Sequence, residues 1–262
     1  MRTNCLGLLA LGILLSGCTS IDTAPTTEEK LALAPTGKLR AAMVITNPAL
    51  VTKDPSSGEL KGVAIDLGKE MARRLGVPFE VVGYSSATAL VGSAKSGQWD
   101  IVFIGVGVGE RDMDLSAPYV QIEMGYLVPK DSPISKISEI DRRGIRIAVQ
   151  EKGGADTLLT PTIKEATLVR RPTIADAVEA VRSGNADAMA GIKTYLIPTS
   201  ERLPGSRVLE GRIAVEPISV GVPKGHHVGA AYVRRFVDAA KSEGLVKAAI
   251  ERAGIRGLDP AP

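Results

Sequence analysis

The chain has 262 residues, a formal net charge of +3 at pH 7 and only 3% aromatic residues. Basic and acidic residues are interspersed, and no block of Lys and Arg alternates with aromatic residues, so the composition argues against nucleic-acid binding. The chain has two cysteines and two histidines, and Cys5 falls in a leader that we expect to be removed. We therefore expect no disulfide, no metal site and no cofactor in the mature chain.

The first residues predict a leader that directs the chain out of the cytoplasm. Arg2 precedes an uncharged, mostly apolar run from Leu6 to Leu15 that is too short to span a bilayer. The following Ser16-Gly17-Cys18 resembles a bacterial lipobox, which implies removal of residues 1–17 and a lipid on Cys18. An ordinary secretory signal that ends in Cys is the alternative. We expect an extracytoplasmic protein, periplasmic or at the cell surface, that its lipid anchors to a membrane.

Residues 18–35 are predicted to form a flexible tether. From Thr19 onward they are rich in Thr, Ala, Glu and Pro, without apolar periodicity. The rest of the chain is long enough for one large domain or two lobes. No later run is long and apolar enough to predict a transmembrane helix.

Beyond the tether, short β-branched runs alternate with longer helical patterns. In the first half the sequence predicts strands at 39–45, 79–83 and 101–104, and helices at 64–75 and 87–96. In the second half it predicts strands at 145–149, 166–169, 188–190 and 218–222, and helices at 153–163, 174–183, 229–242 and 245–253. This alternation indicates βαβ units and parallel sheets with helices on their faces.

The two halves predict two α/β lobes that face each other across a cleft. We expect the first lobe to comprise residues 36–124 and 222–262, and the second to comprise residues 125–221. Two crossover strands, at 120–125 and 218–222, would join them. In such sheets ligands bind at the carboxyl ends of the strands.

Several stretches, in order, resemble the bacterial extracellular solute-binding proteins of family 3, which serve ABC importers for polar amino acids and similar compounds. These stretches run through nearly all of the mature chain: Gly58 to Leu67, Arg74 to Val77, Ser96 to Ile101, Glu110 to Tyr119, Ile140 to Gln150 and Ser183 to Ala188. The resemblance implies the two-lobed, type II periplasmic-binding-protein fold, with a cleft that closes on its ligand by hinge motion. It implies a small polar or carboxylate-bearing ligand, an ABC importer permease as partner, and a monomer.

The resemblance also indicates where a ligand carboxylate would bind. Arg111 follows a glycine-rich strand end, near the place of the family's carboxylate-binding arginine, and a guanidinium meets a carboxylate through two hydrogen bonds. A surface ion pair with Glu110 or Asp112 is the alternative. Backbone N–H groups at Gly105 and Gly107 are further candidates for holding an anion.

A second glycine-rich turn joins a predicted strand to a predicted helix in the second lobe. Gly153, Gly154 and Ala155 occupy this turn, and free N–H groups at a helix N-terminus attract anions. An ordinary tight turn is the alternative.

The position that would bind a ligand ammonium group lacks a carboxylate. The resemblance implies an aspartate shortly after the last strand of the second lobe, but Ile192 stands there, followed by Lys193. Lys193 is therefore a candidate ligand contact, and Glu123 is a candidate substitute acid. Asn47 stands where the family often has aromatic residues that sandwich the ligand. Without the aspartate we expect a ligand with an acidic or polar end and no obligatory ammonium group.

An enzyme on the same scaffold is the main alternative function. Ile140 to Gly144 and Gly153-Gly154 are similar to stretches of cyclohexadienyl and arogenate dehydratases. That dehydration needs a positioned general acid, and Lys193, Thr194 and Tyr195 occupy the place where its carboxylate is expected. We therefore expect no catalysis. A membrane-tethered sensor or assembly module is a third interpretation, which fold alone does not exclude.

Overall fold

The computed structural model describes residues 24–108 and 110–262. The predicted signal peptide, the lipidation site at Cys18 and the first part of the predicted tether lie outside the described residues. Among the residues described, none of the helices is long and apolar enough to cross a membrane.

The described residues form strands and helices that alternate along most of the chain. The strands are β1 Leu39–Val44, β2 Thr52–Lys53, β3 Leu60–Lys61, β4 Phe79–Tyr84, β5 Ile101–Gly105, β6 Met113–Leu115, β7 Val120–Val128, β8 Arg146–Gln150, β9 Thr167–Arg171, β10 Ala188–Ile192, β11 Arg207–Val208, β12 Ala214–Pro223 and β13 Leu258–Pro260. The helices are α1 Thr27–Leu33, α2 Val63–Leu75, α3 Ala87–Gly92, α4 Gly154–Leu159, α5 Ile174–Arg182, α6 Lys193–Arg202, α7 His227–Ser242 and α8 Leu245–Ala253. A short 3-10 helix spans Ile137–Glu139.

One mixed sheet contains most of these strands. Its main path runs β4-β1-β5-β12-β7-β10-β8-β9, with β6 beside β12 and with β11 and β13 beside β7. The pairs β1–β4, β1–β5, β8–β9 and β8–β10 are parallel, whereas β7 and β12 pair antiparallel with each other and with their other neighbours. The long strands β7 and β12 therefore connect two parallel units, and they pair from Ala214 opposite Met124 to Ile218 opposite Val120. The predicted crossover segment 218–222 pairs mainly with β5 instead, since Ile218 to Gly221 lie opposite Gly105 to Val102.

Separate hydrophobic cores support the two parallel units. The largest cluster packs α2, α7 and α8 around β1 and β5, and it includes Leu39, Met71, Phe103 and Phe236. Other clusters lie on the opposite faces of β8 and β10, where for example Ile147 and Ala148 belong to different clusters. The C-terminal helices α7 and α8 contribute Phe236, Val246 and Ala249 to the core of the first parallel unit.

The same ion pair stabilises both parallel units. In the first unit, Asp100 accepts hydrogen bonds from the backbone N, Nε and Nη2 of Arg40 at 2.9, 3.0 and 2.7 Å. In the second unit, Asp187 accepts the equivalent bonds from Arg146 at 2.8, 3.0 and 2.8 Å. Each pair ties the start of the unit's first strand, β1 or β8, to the start of the neighbouring parallel strand, β5 or β10.

The predicted tether is wrong over the stretch that forms α1. Thr26 caps this helix, since its Oγ1 accepts a bond from the backbone N of Glu29 and Glu29 Oε2 accepts one from the backbone N of Thr26. Leu33 is fully buried in the largest core, and Glu29 Oε1 lies 2.9 Å from Arg235 Nη2 on α7. This cap and these contacts hold α1 against the folded body, so the segment 27–33 is not a free linker.

Candidate ligand-binding cleft

Two adjoining cavities lie where the two parallel units face each other. The Glu216 cavity has a volume of about 150 Å³, and its lining residues come mainly from the second unit and the crossover strands: Met124, Gln150, Gly153, Gly154, Ala155, Ile174, Met189, Ala190, Gly191, Ile192, Tyr195 and Glu216. The Asn47 cavity has a volume of about 490 Å³, and its lining residues come from both units: Thr46, Asn47, Pro48, Ile174, Ile192, Thr194, Tyr195, Pro198 and Arg202. The cavities share Ile174, Ile192 and Tyr195, so they adjoin each other.

The strand order explains why polar groups meet in the Glu216 cavity. Gln150 ends β8 and Ile192 ends β10, and these parallel neighbours bring their carboxyl ends to the same edge of the sheet. The turn after β8 contributes Gly153 and Gly154, and the crossover strand β12 contributes Glu216. Backbone and side-chain groups from distant parts of the sequence therefore surround one small volume.

The second glycine-rich turn lies in this cavity. Gly153, Gly154 and Ala155 all line it, although the N–H of Gly153 already donates to the carbonyl of Gln150 at 3.0 Å. The helix that follows, α4, has only six residues. A Cβ on Gly154 would lie 2.9 Å from the Cε of Met124, so the absence of a side chain there keeps the cavity open.

At the first glycine-rich strand end, one glycine lies at the edge of the cavity and the other lies on the surface. Gly105 is buried beside Glu216, and a Cβ on Gly105 would lie 2.9 Å from Glu216 Oε1. Gly107 is exposed, and its N–H donates to Glu110 Oε1 at 3.1 Å. Arg111 is exposed and does not line either cavity. Arg111, Gly105 and Gly107 therefore remain predicted ligand contacts.

Asn47 lines the larger cavity, but its side chain also has a structural role. Its Oδ1 accepts a hydrogen bond from the backbone N of Ala49 at 3.0 Å, and its carbonyl accepts bonds from Leu50 and Val51. These bonds fix the turn after β1 that forms one wall of the Asn47 cavity. The amide nitrogen of Asn47 is the remaining polar group of this side chain for a ligand.

Glu123 and Lys193 pair with each other. Lys193 Nζ donates to Glu123 Oε2 at 2.7 Å, and Arg212 Nη1 approaches Glu123 Oε1 at 3.3 Å. The hydrogen bond from Lys193 is the main reason why the pKa of Glu123 lies below its ordinary value, and Arg212 adds to it. Both side chains are partly buried, and neither lines the two cavities. Because the two groups pair with each other, their opposite charges are compensated beside the cleft.

Sequence reasoning missed Glu216, the acid inside the cleft. It lies on β12 opposite Ile122 of β7, between the positions of Gly105 and Gly154. Burial raises the pKa of its carboxyl. Across the described ranges 24–108 and 110–262, its carboxylate has no hydrogen-bond or ion-pair partner. A signal was present in the sequence, since Glu216 is the one charged residue in the run from Ile213 to Val222.

Two parallel α/β units, joined by antiparallel crossover strands and facing each other across a cleft at their strand ends, are the architecture of type II periplasmic solute-binding proteins. Residues 39–253 match the model of the bacterial extracellular solute-binding proteins, family 3. The chain therefore belongs to this family, and its fold class is the one that the sequence predicts.

Individual relatives are distant in sequence and similar over most of their length. The glutamine-binding protein of Geobacillus stearothermophilus is 21% identical over 213 residues, which cover 79% of this chain and 81% of that protein. The solved structure of the solute receptor for L-cysteine of Neisseria gonorrhoeae has a TM-score of 0.70 at 23% identity and covers 89% of this chain and 99% of its own. An amino acid ABC transporter substrate-binding protein of Streptococcus pneumoniae, bound to L-arginine, has a TM-score of 0.69 at 19% identity with the same coverage, 89% and 99%. The two structural similarities concern the fold.

Proposed function

We propose that the protein is the substrate-binding component of an ABC importer and that it captures a small, polar, amino-acid-like solute by closing its two lobes. The observation that carries this proposal is the Asn47 cavity, whose walls come from the turn after β1 in one unit and from α5 and α6 in the other. A solute between these walls contacts both units at once. Its binding energy therefore favours the closed arrangement over an open one.

The proposed lobes comprise residues 36–124 with 222–262, and residues 125–221. Separate cores on the two parallel units support a division into two lobes, as does the position of β7 and β12 between them. The core of the first unit includes Ile218 and Val220 of β12, so by this criterion the proposed boundary at 221 lies a few residues late. Hinge motion in this arrangement would concentrate the φ/ψ changes in a few residues of two strands.

Relatives and cavity size support an amino acid or a similar compound as the solute. Glutamine, L-cysteine and L-arginine appear in the names of the three relatives described above. The Asn47 cavity, at about 490 Å³, falls within the range of roughly 300–1,000 Å³ that is usual for small-molecule sites. Arg111 and the turn at Gly153 and Gly154 remain the predicted contacts of the solute's acidic end.

A thermal-shift screen over the L-amino acids tests the proposed function. A solute that binds only the folded protein stabilises it by mass action, by about 2.7 kcal/mol at a hundred times its Kd. We expect at least one amino acid to raise the melting temperature and, in small-angle scattering, to reduce the radius of gyration. If no amino acid or amino-acid derivative shifts the melting temperature, the proposed function is wrong.

The family is extracellular, so the protein works outside the cytoplasm. We propose in addition that Cys18 carries a lipid and that the mature protein is a monomer on the membrane, where it meets the permease. The leader sequence supports the anchor. Labelled palmitate should enter the wild-type protein and not Cys18→Ser, which should appear in the soluble fraction. Equal labelling of both proteins would contradict the anchor, and a dimer mass in solution would contradict the monomer.

We do not propose a dehydratase activity. The relatives described above are binding proteins, and the place where the resemblance predicts a general acid holds Lys193, whose ammonium pairs with Glu123. A product assay with arogenate checks this point. We expect no conversion above the uncatalysed rate, and product formed in proportion to the protein concentration would contradict us.

A further inference from the structure

The Glu216 carboxyl is the one acidic group that lines either of the two cavities in the described cleft. Its two oxygens lie beside two glycines that come from opposite units. A Cβ on Gly105 would lie 2.9 Å from Oε1, and a Cβ on Gly154 would lie 3.8 Å from Oε2. Because neither glycine has a side chain, no Cβ from either unit crowds the carboxyl.

The carboxyl of Glu216 differs in its pairing from that of Glu123, the other acid near the cleft. Glu123 is paired with Lys193 and Arg212, so its charge is already compensated. Glu216 has no such partner among the described residues. An ionised carboxylate without a partner is costly in a partly buried site, so a ligand that supplies a cation or N–H donors gains free energy there.

We propose that the Glu216 carboxyl binds the positively charged ammonium group of the solute, so that the solute is a primary amine or an α-amino acid with an uncharged tail in the Asn47 cavity. This inference rests on the proposed function. It assigns to the crossover strand β12 the acid that the sequence lacks at Ile192. It also replaces the sequence-based expectation of a solute without an obligatory ammonium group.

The shape of the cleft indicates where the rest of the solute lies. Ile174, Ile192 and Tyr195 line both the Glu216 cavity and the Asn47 cavity, so the Asn47 cavity is the space nearest to the carboxyl for a tail. In the Asn47 cavity Arg202 is the one charged residue of the lining, and its side chain is exposed. A cationic tail would approach Arg202 without a compensating acid, so an apolar or neutral tail fits better than that of lysine or arginine.

Proton release should accompany binding. Burial favours the protonated form of Glu216 in the empty cleft, whereas an ammonium group favours the ionised form. Charged or titratable groups near Glu216 include Tyr195, which lines the cavity, and the Glu123–Lys193 pair on β7 and α6, which Arg212 joins. The turn after β8 carries Glu151 and Lys152, and Asp156 of α4 pairs with Arg170 at 3.0 Å. The affinity for an amine should therefore rise with pH through the pKa of Glu216 in the empty cleft and level off above it.

Isothermal titration calorimetry of Glu216→Gln and Glu123→Gln tests the proposal. The probes are L-amino acids with neutral tails, each paired with the carboxylate that lacks its amino group and with the amine that lacks its carboxyl group. Glu216→Gln keeps the shape of the side chain and should weaken binding of the amino acids about ten- to a hundredfold. Glu123→Gln leaves Lys193 without its partner at 2.7 Å, so it should lower the melting temperature while binding changes less than about threefold.

Titrations in two buffers of different ionisation enthalpy measure the protons released. Below the pKa of Glu216 in the empty cleft, the wild-type protein should release up to about one proton for each amino acid bound, and Glu216→Gln should release none. Gly105→Ala is an independent variant, because its new Cβ would stand 2.9 Å from Glu216 Oε1 and displace the carboxyl. It should also weaken amino-acid binding.

The outcomes separate the inference from the proposed function. A wild-type protein that binds none of the probes contradicts the proposed function and the inference with it. A wild-type protein that binds amino acids while Glu216→Gln binds them equally tightly, with unchanged proton release, overturns the inference alone. Tighter binding of the carboxylates that lack the amino group would also overturn it and would favour the anionic contacts near Arg111.

Discussion

The two equivalent ion pairs allow a matched test of how burial sets the strength of the same contact. Asp100 and Asp187 accept the same three bonds from an arginine at almost the same distances. The Asp100 and Arg40 side chains are 4% and 16% exposed, whereas those of Asp187 and Arg146 are 33% and 42% exposed. The same Asp→Asn substitution at each site therefore differs mainly in the access of water to the arginine that remains.

We expect Asp100→Asn to cost about 3 kcal/mol, near the lower end of the values for breaking a buried pair. Asp187→Asn should cost about 1 kcal/mol, because solvent screens the exposed pair and hydrates the remaining guanidinium. Arg146 also holds the pKa of Asp187 below its ordinary value. The contribution of Asp187 is therefore full above about pH 4 and is lost as the pH falls through its lowered value in the folded state, so the penalty of Asp187→Asn should shrink in acid.

Urea unfolding with two probes measures these effects. Trp99 is the one tryptophan of the chain, it lies next to Asp100, and its buried ring donates to Ser93 Oγ at 2.9 Å. Its fluorescence follows the first parallel unit, and circular dichroism follows both units, which matters because two-lobed proteins need not unfold in one step. Equal penalties, or a larger one for Asp187→Asn, would refute the argument that burial decides the strength of this contact.

Three further predictions concern individual residues. Leu33→Ala should cost about 2–5 kcal/mol in urea unfolding, because Leu33 is fully buried; an unchanged midpoint would restore the tether interpretation of α1. Gly62→Ala should destabilise the protein more than Gly37→Ala, since both residues have a positive φ but only at Gly62 would a Cβ lie 2.4 Å from the Leu50 carbonyl oxygen; equal melting temperatures would contradict this. Arg111→Ala should weaken solute binding about ten- to a hundredfold in calorimetry and leave the melting temperature unchanged, and an unchanged Kd would remove Arg111 from the site.

The sequence alone predicted the elements whose ends are set by residues adjacent in the chain. The helix Leu245–Ala253 is predicted and observed with the same ends, because glycines with left-handed backbone conformation precede and follow it. The predicted strands at 39–45, 79–83 and 101–104 differ from β1, β4 and β5 by one residue at most. Apolar runs and glycine stops act within a few residues, so one sequence is enough to find them.

Other elements form only because the rest of the fold surrounds them. The helix α6 contains Pro198 and has no side-chain cap at its first turn, so local patterns do not predict it. It packs instead against β7 and β10, and Leu196 is buried in the core there. In the same way α1 depends on burying Leu33 and on the contact between Glu29 and Arg235, residues that lie far apart in the sequence.

The candidate site also contains one part that the sequence predicts and another that only the tertiary structure decides. The turn at Gly153 and Gly154 was predictable, because a strand, a glycine-rich turn and a helix follow one another directly in the sequence. The pairing of Lys193 with Glu123, which lie 70 residues apart, and the position of Glu216 between Gly105 and Gly154 depend on how β7 and β12 cross between the two units. The sequence specifies the residue types, but only the tertiary structure decides that Glu123 pairs with Lys193 while Glu216 faces the cleft with no partner among the described residues.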